Sequence, residues 1–298
     1  MKPRVSVVVP AYNSVAFIDA TMRSILAQSF TDFELVVSDH SSTDGTWEAL
    51  QQFAAEPRVR LSRLASGGGA SANWNAVTDL ATGEFIKLVC GDDLLSPDSL
   101  AEQLAALEAH PSAVMAASTR DVIDAAGTPV LRNRGLAGLR GEVDGAEAIR
   151  RTVLAGTNIF GEPASVLLRR AALVDAGGWD ARFPYLIDEA TYCEVLLQGS
   201  LVAVPRTLSS FRVSQSQWSV QLVQAQAEQA IGFSREFAAA HPGLLGRHHL
   251  QVGSLRARAN AYGRRAVYRW LGRRMRTSVP TMTARPASDG DTSRCSRS

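Results

Sequence analysis

Short apolar runs and amphipathic segments alternate along the first third of the chain. The run at residues 5–9 is β-branched and nearly all apolar and predicts a buried strand. The segments at 33–37, 59–64 and 84–89 predict three more strands, and those at 15–28, 44–54, 70–81 and 97–109 predict helices. Strands that alternate with helices of roughly 10–15 residues are typical of a parallel sheet covered by helices on both faces. The pattern therefore predicts an α/β protein.

After residue 112 the alternation is less regular. The pattern predicts strands at 114–118, 164–169, 201–204 and 208–213, a hairpin or loop at 120–143, and helices at 144–155, 187–198 and from about 219 to 275. From residue 277 the chain is rich in Ser, Thr and Pro, which favours disorder. We therefore predict an α/β domain at 1–215, a basic helical extension at 216–276 and a disordered tail at 277–298.

Composition narrows the class of protein only slightly. The 298 residues carry a net charge of +2, which does not indicate nucleic-acid binding. The apolar run near the N-terminus ends at Pro10, so no signal peptide is expected, and no stretch of about 18 apolar residues predicts a membrane span. Cys90, Cys193 and Cys295 have neither disulfide nor metal-site spacing. A cytoplasmic location is expected.

Polar residues gather where three predicted strands end. The segments are "PAYN" at 10–13, "SDHSSTDGT" at 38–46 and "CGDD" at 90–93. Ligands of open parallel sheets bind at this edge, so Asp39, Asp92 and Asp93 predict a polar crevice. The first strand lacks the glycine-rich loop of a dinucleotide site. The acidic side chains indicate Mg²⁺ or Mn²⁺ held together with substrate phosphates. Each aspartate taken alone could equally cap a turn or lie in a solvated loop.

Four segments in this order resemble the family 2 glycosyltransferases of the GT-A fold. They are "VSVVVPAYN", "VVSDHSSTDGT", "ANWNAVTDLATGEFIKLVCGDDLLSPDSL" and "IDEATYCEVLLQGS". The resemblance covers about residues 4–215 and implies a Rossmann-like, mostly parallel sheet flanked by helices. It also implies metal-dependent, inverting transfer of one sugar from a UDP- or dTDP-sugar to a hydroxyl. The acceptor would be a cell-surface glycan or a lipid-linked precursor.

The resemblance also implies which residues bind the donor. Pro10, Ala11 and Tyr12 would lie near the nucleotide, and Asp39 would accept the N3–H of uracil or thymine. Asn75 matches the family's asparagine before the next Gly–Glu. Asp92 matches the second aspartate of the D-x-D motif and would contact the nucleotide, and Asp92 and Asp93 are the candidate ligands of the metal.

The same resemblance implies an acceptor end of the site. Asp188, eleven residues before Gly199, matches the catalytic base, and Glu189 is the second candidate. On the local sequence alone, Asp188 could instead cap its helix. Glu162 is a weaker candidate for acceptor contact. Arg212 would contact phosphate or form a structural salt bridge.

Two positions depart from the family pattern. Cys90 replaces the first aspartate of D-x-D, and Ser214 replaces a histidine that contacts metal or phosphate in relatives. These changes leave open a nucleotide-sugar-binding protein with little turnover. A nucleotidyltransferase would need a basic glycine-rich loop after the first strand, which is absent. The Gln-x-x-Arg-Trp motif of processive synthases is also absent, which favours single addition.

Residues 247–276 hold nine arginines and no acidic residue, with apolar residues between them. One interpretation is a helical cover with a solvated basic face. The other is peripheral contact with an anionic membrane, on the inner face of the plasma membrane, because arginines beside Trp and Tyr suit the bilayer interface.

Overall fold

The computed structural model describes residues 2–214 and 225–272. The strands are β1 (Val5–Ala11), β2 (Phe33–Asp39), β3 (Val59–Arg63), β4 (Phe85–Leu88), β5 (Leu94–Leu95), β6 (Ala113–Ile123), β7 (Pro129–Arg134), β8 (Gly141–Val143), β9 (Val166–Arg169) and β10 (Ser200–Arg212). The helices are α1 (Ile18–Leu26), α2 (Thr46–Gln51), α3 (Gly69–Asp79), α4 (Ser99–Ala109), α5 (Gly145–Ala155), α6 (Arg170–Asp175), α7 (Ile187–Leu196), α8 (Gln226–Ala240) and α9 (Arg247–Leu271).

All ten strands join one sheet. Its order is β3-β2-β1-β4-β9-β6-β10-β5, with β7 on β6 and β8 on β10. β3, β2, β1 and β4 are parallel neighbours, as are β6 and β10, while β9 runs antiparallel between β4 and β6. The α/β class predicted from the sequence is confirmed, and its parallel part begins with the apolar runs that predicted it.

Alternate residues of β1 serve two separate cores, one on each face of the sheet. Val7 and Val9 belong to a cluster with Met22 and Ile25 of α1. Val8 belongs to the other cluster, with residues of α3, α5 and α7. Because successive strand residues point to opposite faces, a fully apolar strand is buried on both sides. The carboxyl ends of β1, β2 and β4 are therefore held rigidly at one edge.

The later elements differ from the predicted ones in extent. β6 continues to Ile123, and the two predicted strands after residue 200 form the single strand β10, which pairs with β6 along its length. The predicted hairpin within 120–143 is β6 with β7. Where the structure describes the extension, at residues 225–272, it forms the helices α8 and α9. Residues 216–224 and 273–276 of the extension and the predicted tail at 277–298 lie outside the described residues.

Helix α9 packs closely on α5. Gly156 ends α5 with a positive φ of 62°, and a Cβ there would lie 2.4 Å from the backbone nitrogen of Ala257. Asn260 donates to the backbone oxygens of Ala155 and Gly156 at 2.9 and 3.2 Å. Part of the C-terminal extension is thus fixed against the α/β domain.

Candidate active site

A cleft of about 1160 Å³ opens at the carboxyl edge of β1, β2 and β4. Its far wall is formed by the β6–β7 hairpin, the loop after α5, the start of α7 and part of α9. Most of the residues predicted for the site line it: Pro10, Tyr12, Asp92, Asp93, Glu162, Asp188 and Glu189. The structure therefore brings the predicted donor and acceptor ends into one cavity.

Asp39 is the last residue of β2, directly before His40, which lines the cleft; Asp39 itself does not line it, and its side chain is fully buried. Oδ2 accepts from the backbone N–H of Ser42 and from Arg63 Nε, at 3.3 and 3.2 Å. Oδ1 is buried and has no hydrogen-bond partner among the described residues. A buried carboxylate oxygen without a donor is costly, so this atom is suited to receive one from a ligand.

The two asparagines of α3 have different surroundings. Asn75 is engaged on both sides of its amide by the backbone of Trp179, at 2.8 and 3.0 Å, and does not line the cleft. Asn73 does line it and donates to the backbone oxygens of Ala11 and Ser38. Asn75 therefore makes a structural contact with Trp179, and its predicted role in donor binding stays a prediction. Ala11 is fully buried and does not line the cleft, and its backbone oxygen accepts from Asn73 and from the backbone N–H of His40.

Arg212 forms hydrogen bonds with both of the adjacent acids, Asp92 and Asp93. Asp93 is fully buried, and its Oδ1 accepts the backbone N–H of Arg212 at 3.0 Å, while Oδ2 has no partner among the described residues. Burial raises the pKa of Asp92 to about 6, and burial together with the charge of Asp92 raises the pKa of Asp93 well above its usual value. The Arg212 charge opposes both shifts.

Arg212 does not line the cleft. Its guanidinium donates to the backbone oxygens of Asp92, Asp124 and Ala125 and lies over the ring of Phe17, with Cζ 4.6 Å from the centroid. The charges of Asp92, Asp93 and Asp124 act on this guanidinium and favour its ionised form, and the predicted phosphate contact stays a prediction. The role of Arg212 here is to hold the acidic loop.

The acidic pair fits a divalent cation that completes its shell with substrate. Among residues 2–214 and 225–272, no cluster of three or more His, Cys, Asp or Glu side chains could hold a metal unaided. Asp93 Oδ2 is nevertheless an unsatisfied buried oxygen beside Asp92 at the cleft, and Mn²⁺ and Mg²⁺ favour one or two carboxylates plus phosphate oxygens. Cys90 also lines the cleft, and burial raises the pKa of its thiol well above the usual value.

Asp188 and Glu189 lie in the first turn of α7. Asp188 Oδ1 accepts the backbone N–H of Glu189 at 2.7 Å, and Oδ2 accepts from Asn158 at 2.9 Å. Burial raises the pKa of Asp188 to about 7, and Glu162 adds to the shift. Glu189 is more deeply buried, and burial raises its pKa to about 8. Asp188 is thus the more accessible acid and the more readily ionised.

The carboxylate of Glu162, predicted as a weaker candidate for acceptor contact, is already engaged in an ion pair. Its partner is Arg120 of β6, which also donates to the backbone oxygen of Arg134. Both Arg120 and Arg134 line the cleft near Glu162. Glu162 can therefore orient Arg120 toward an acceptor as readily as touch the acceptor itself.

Several residues of the cleft were not predicted from the sequence. His40 and Asn73 line the cleft and have buried atoms, Nε2 and Oδ1, without partners among the described residues. Asn158 contacts Asp188, and Arg264 of α9 donates to Gln226 and Thr157 at the acceptor end. His40 follows Asp39 directly and could have been found from that position. The others depend on tertiary contacts.

The family model for Glycosyl transferase family 2 matches residues 6–175, which is more than half of the chain. The chain belongs to this family. The resemblance seen in the sequence motifs is thus confirmed, and with it the expectation of a glycosyltransferase domain.

Two known proteins illustrate the likeness in sequence. "Uncharacterized protein MT1568" of Mycobacterium tuberculosis is 34% identical over 217 residues, 70% of this chain and 66% of that protein. "Poly(ribitol-phosphate) beta-N-acetylglucosaminyltransferase TarS" of Staphylococcus aureus is 34% identical over 113 residues, 37% of this chain and 20% of TarS. The chain thus spans less than two thirds of either relative.

Solved structures support the fold. TarS residues 1–349 in complex with UDP-GlcNAc superpose with a TM-score of 0.67 and 21% identity, covering 88% of this chain and 72% of that one. The mannosyltransferase PcManGT of Pyrobaculum calidifontis, in complex with GDP-Man and Mn²⁺, gives a TM-score of 0.63 and 18% identity, covering 91% and 76%. The predicted GT-A architecture is confirmed.

Proposed function

We propose that the protein is an inverting glycosyltransferase that adds one sugar from a UDP- or dTDP-sugar to a hydroxyl of a cell-surface glycan or lipid-linked acceptor. The observation that carries this proposal is the presence of Asp188 in the same cleft as Asp92 and Asp93. A base and a diphosphate site must face one another across the reacting sugar for inversion.

The nucleotide end is assigned to Asp39, with Pro10, Ala11 and Tyr12 nearby. The unpartnered Oδ1 of Asp39 suits the N3–H of a uracil or thymine ring, whereas cytosine has no donor at that position. Tyr12 is 61% exposed and lines the cleft, so its ring is available to a base. The complex of TarS with UDP-GlcNAc supports a uridine donor on this fold.

Asp92 and Asp93 would hold Mn²⁺ or Mg²⁺ beside the diphosphate. When bound, the cation supplies positive charge against the phosphates of the leaving group. Asp92→Asn and Asp93→Asn each remove charge from this site and are expected to abolish metal-stimulated transfer. Full activity in excess EDTA would argue against a metal.

Asp188 would act as the general base. The acceptor oxygen attacks the anomeric carbon from the face opposite the diphosphate, the bond from that carbon to the phosphate oxygen breaks, and the acceptor proton passes to Asp188. The carboxylate must be ionised for this step. Glu189, buried and bonded to Thr152, is less suited to reach a substrate.

A protein that binds nucleotide-sugar without turnover is the second candidate, favoured by Cys90 and Ser214. Isothermal titration with UDP and Mn²⁺, run beside an assay of donor consumption, separates the two. Consumption of a UDP- or dTDP-sugar that depends on Mn²⁺ supports the transferase. Binding without consumption for every donor, with acceptor extracts present, supports the second candidate.

We also propose peripheral contact between α9 and an anionic membrane, where a lipid-linked acceptor would be found. Leu255, Tyr262 and Trp270 are 70%, 71% and 75% exposed on this helix, and Arg258 is exposed among them. No helix within the described ranges is long and apolar enough to cross a bilayer. Vesicle sedimentation tests the contact.

A further inference from the structure

The side-chain amide of Asn158 is held in one orientation beside Asp188. Its Oδ1 accepts the backbone N–H groups of Phe160 and Gly161, at 2.9 and 3.1 Å. Those two donors fix which side of the amide carries the oxygen. Nδ2 consequently faces the backbone oxygen of Gly161 at 3.0 Å and Asp188 Oδ2 at 2.9 Å. All four hydrogen-bonding positions of Asn158 are occupied.

The loop that carries Asn158 is itself well determined. Gly161 has a φ of 96°, and a Cβ there would lie 2.9 Å from the side chain of Ser165. Thr152 Oγ1 in α5 contacts the backbone of Thr157 and Ile159 on the same loop. The amide of Asn158 is therefore positioned before any substrate arrives.

The contact between Asn158 and Asp188 favours the charged form of the carboxyl group. Nδ2 can only donate, and Oδ1 of the amide is already engaged, so Asn158 offers no acceptor to a protonated Asp188. Hydrogen bonds donated to a carboxylate stabilise its ionised form. Together with the Glu189 N–H on Oδ1, the amide also fixes the plane of the carboxylate.

We propose that Asn158 is the positioning residue of the acceptor base, orienting the Asp188 carboxylate and favouring its ionised form. The inference rests on the proposed role of Asp188. It assigns to the loop after α5 a part in the reaction that the motif resemblance does not include.

Other ionisable groups surround Asp188. Glu162 before β9 raises its pKa, and Arg120 on β6 is paired with Glu162. Further ionisable groups nearby are Cys90 after β4, the α7 residues Glu189, Tyr192 and Cys193, and Arg264 of α9, whose charge acts on Glu189. Burial raises the pKa of both thiols and of the phenol well above their usual values, so these three stay neutral around pH 7. Glu189 has a pKa of about 8, so a control variant must distinguish the titration of Glu189 from that of Asp188.

The test is the pH dependence of kcat/KM for the acceptor, at saturating donor. Asn158→Ala removes the donor and should move the acid limb up by about one pH unit, with KM for the donor unchanged. Asn158→Asp keeps an oxygen that accepts the backbone N–H groups of the loop but replaces the NH₂ donor with a second carboxylate oxygen. It should therefore move the acid limb to a still higher pH. This second variant preserves the loop if Asn158→Ala folds poorly.

Thr152→Val is the matched control. It loosens the same loop and removes the hydrogen bond to Glu189, but leaves the contact between Asn158 and Asp188. Its acid limb should stay in place. An unmoved limb in both Asn158 variants, or an equal shift in Thr152→Val, would overturn the inference. If Asp188 is not the base, the result is different: the Asp188→Asn variant then keeps the turnover of the unmodified protein.

Discussion

Arg212 holds the acidic loop through Asp93, because its backbone N–H donates to Asp93 Oδ1 at 3.0 Å while its Nε donates to the backbone oxygen of Asp92 at 2.9 Å. The loop is thus held by a buried cation that does not itself line the cleft. Arg212 therefore fixes the position of the two acids that would bind the metal and the diphosphate. It does so without having to contact the metal or the diphosphate itself.

Replacing Arg212 by Met should destabilise the fold. Three backbone oxygens would lose their donor and two acids would lose a nearby cation, at a cost on the order of 3 kcal/mol. For a chain of this size that corresponds to a fall in Tm of roughly 5–10 °C, measured calorimetrically. Arg206→Met is the control, since Arg206 lies on the same strand in an exposed pair with Glu102 and should cost less than about 1 kcal/mol. Equal Tm values for the two variants would contradict this role.

Asp39→Asn should narrow the preference for uridine over cytidine nucleotides. The unmodified protein should bind UDP better than CDP, because Asp39 accepts an N–H that cytosine lacks. An asparagine amide loses the charge and can present either an oxygen or an NH₂ group. UDP binding should weaken by about 1.5–3 kcal/mol, while CDP binding changes less. Titration calorimetry with UDP and CDP measures both affinities. An unchanged ratio of the two affinities would show that Asp39 does not bind the nucleobase.

Lys87 predicts a pH dependence of stability unrelated to catalysis. Its buried Nζ donates to Gln103 Oε1 at 2.6 Å and to the backbone oxygen of Val166 at 3.1 Å, and burial lowers its pKa to about 7. The unfolded chain keeps this proton up to about pH 10.4. Between these values the unfolded state binds more protons, so stability rises with pH and is lowest below pH 7.

Urea unfolding of the protein and of Lys87→Met measures this contribution. The free energy of unfolding of the unmodified protein, relative to the variant, should increase by up to about 1.4 kcal/mol per pH unit between pH 7 and 10. Groups common to both proteins cancel in the difference. A difference independent of pH would mean that Lys87 is ionised in the fold.

Membrane contact through α9 predicts sedimentation with anionic vesicles at low salt and release at high salt. Truncation after residue 246 would be a poor test, because Asn260 and Ala257 fix the helix to α5. The triple variant Leu255→Ser, Tyr262→Ser, Trp270→Ser removes only exposed side chains and should weaken vesicle binding at least about tenfold. Val174→Ser, which changes an exposed side chain of α6, is the control. Protein that stays in the supernatant at every salt concentration would contradict the contact.

The sequence predicted the parts of the fold that local pattern controls. Residues 5–9 are β-branched and nearly all apolar, and the runs before Asp39 and Asp92 are mostly apolar, so β1, β2 and β4 were found to within a few residues. The antiparallel insertion of β9 and the length of β10 arise from pairing with distant strands, which no local pattern encodes. Asn75 illustrates the same limit within the site, since its partner Trp179 lies 104 residues away. Asp188 was found from a motif, whereas Asn158 could be found only from the contact.

The central claim is that Asp188 removes the acceptor proton. Kinetic comparison of Asp188→Asn with the unmodified protein, using an identified UDP-sugar and acceptor, tests it most directly. We expect kcat to fall by roughly 10²–10⁴ with donor affinity nearly unchanged, and the unmodified protein to gain activity with rising pH through about 7, where Asp188 ionises. Glu189→Gln, one residue away, should retain most of the activity. Loss of UDP binding and a Tm several degrees lower in Asp188→Asn, or turnover close to that of the unmodified protein, would show that Asp188 caps α7 and is not the base.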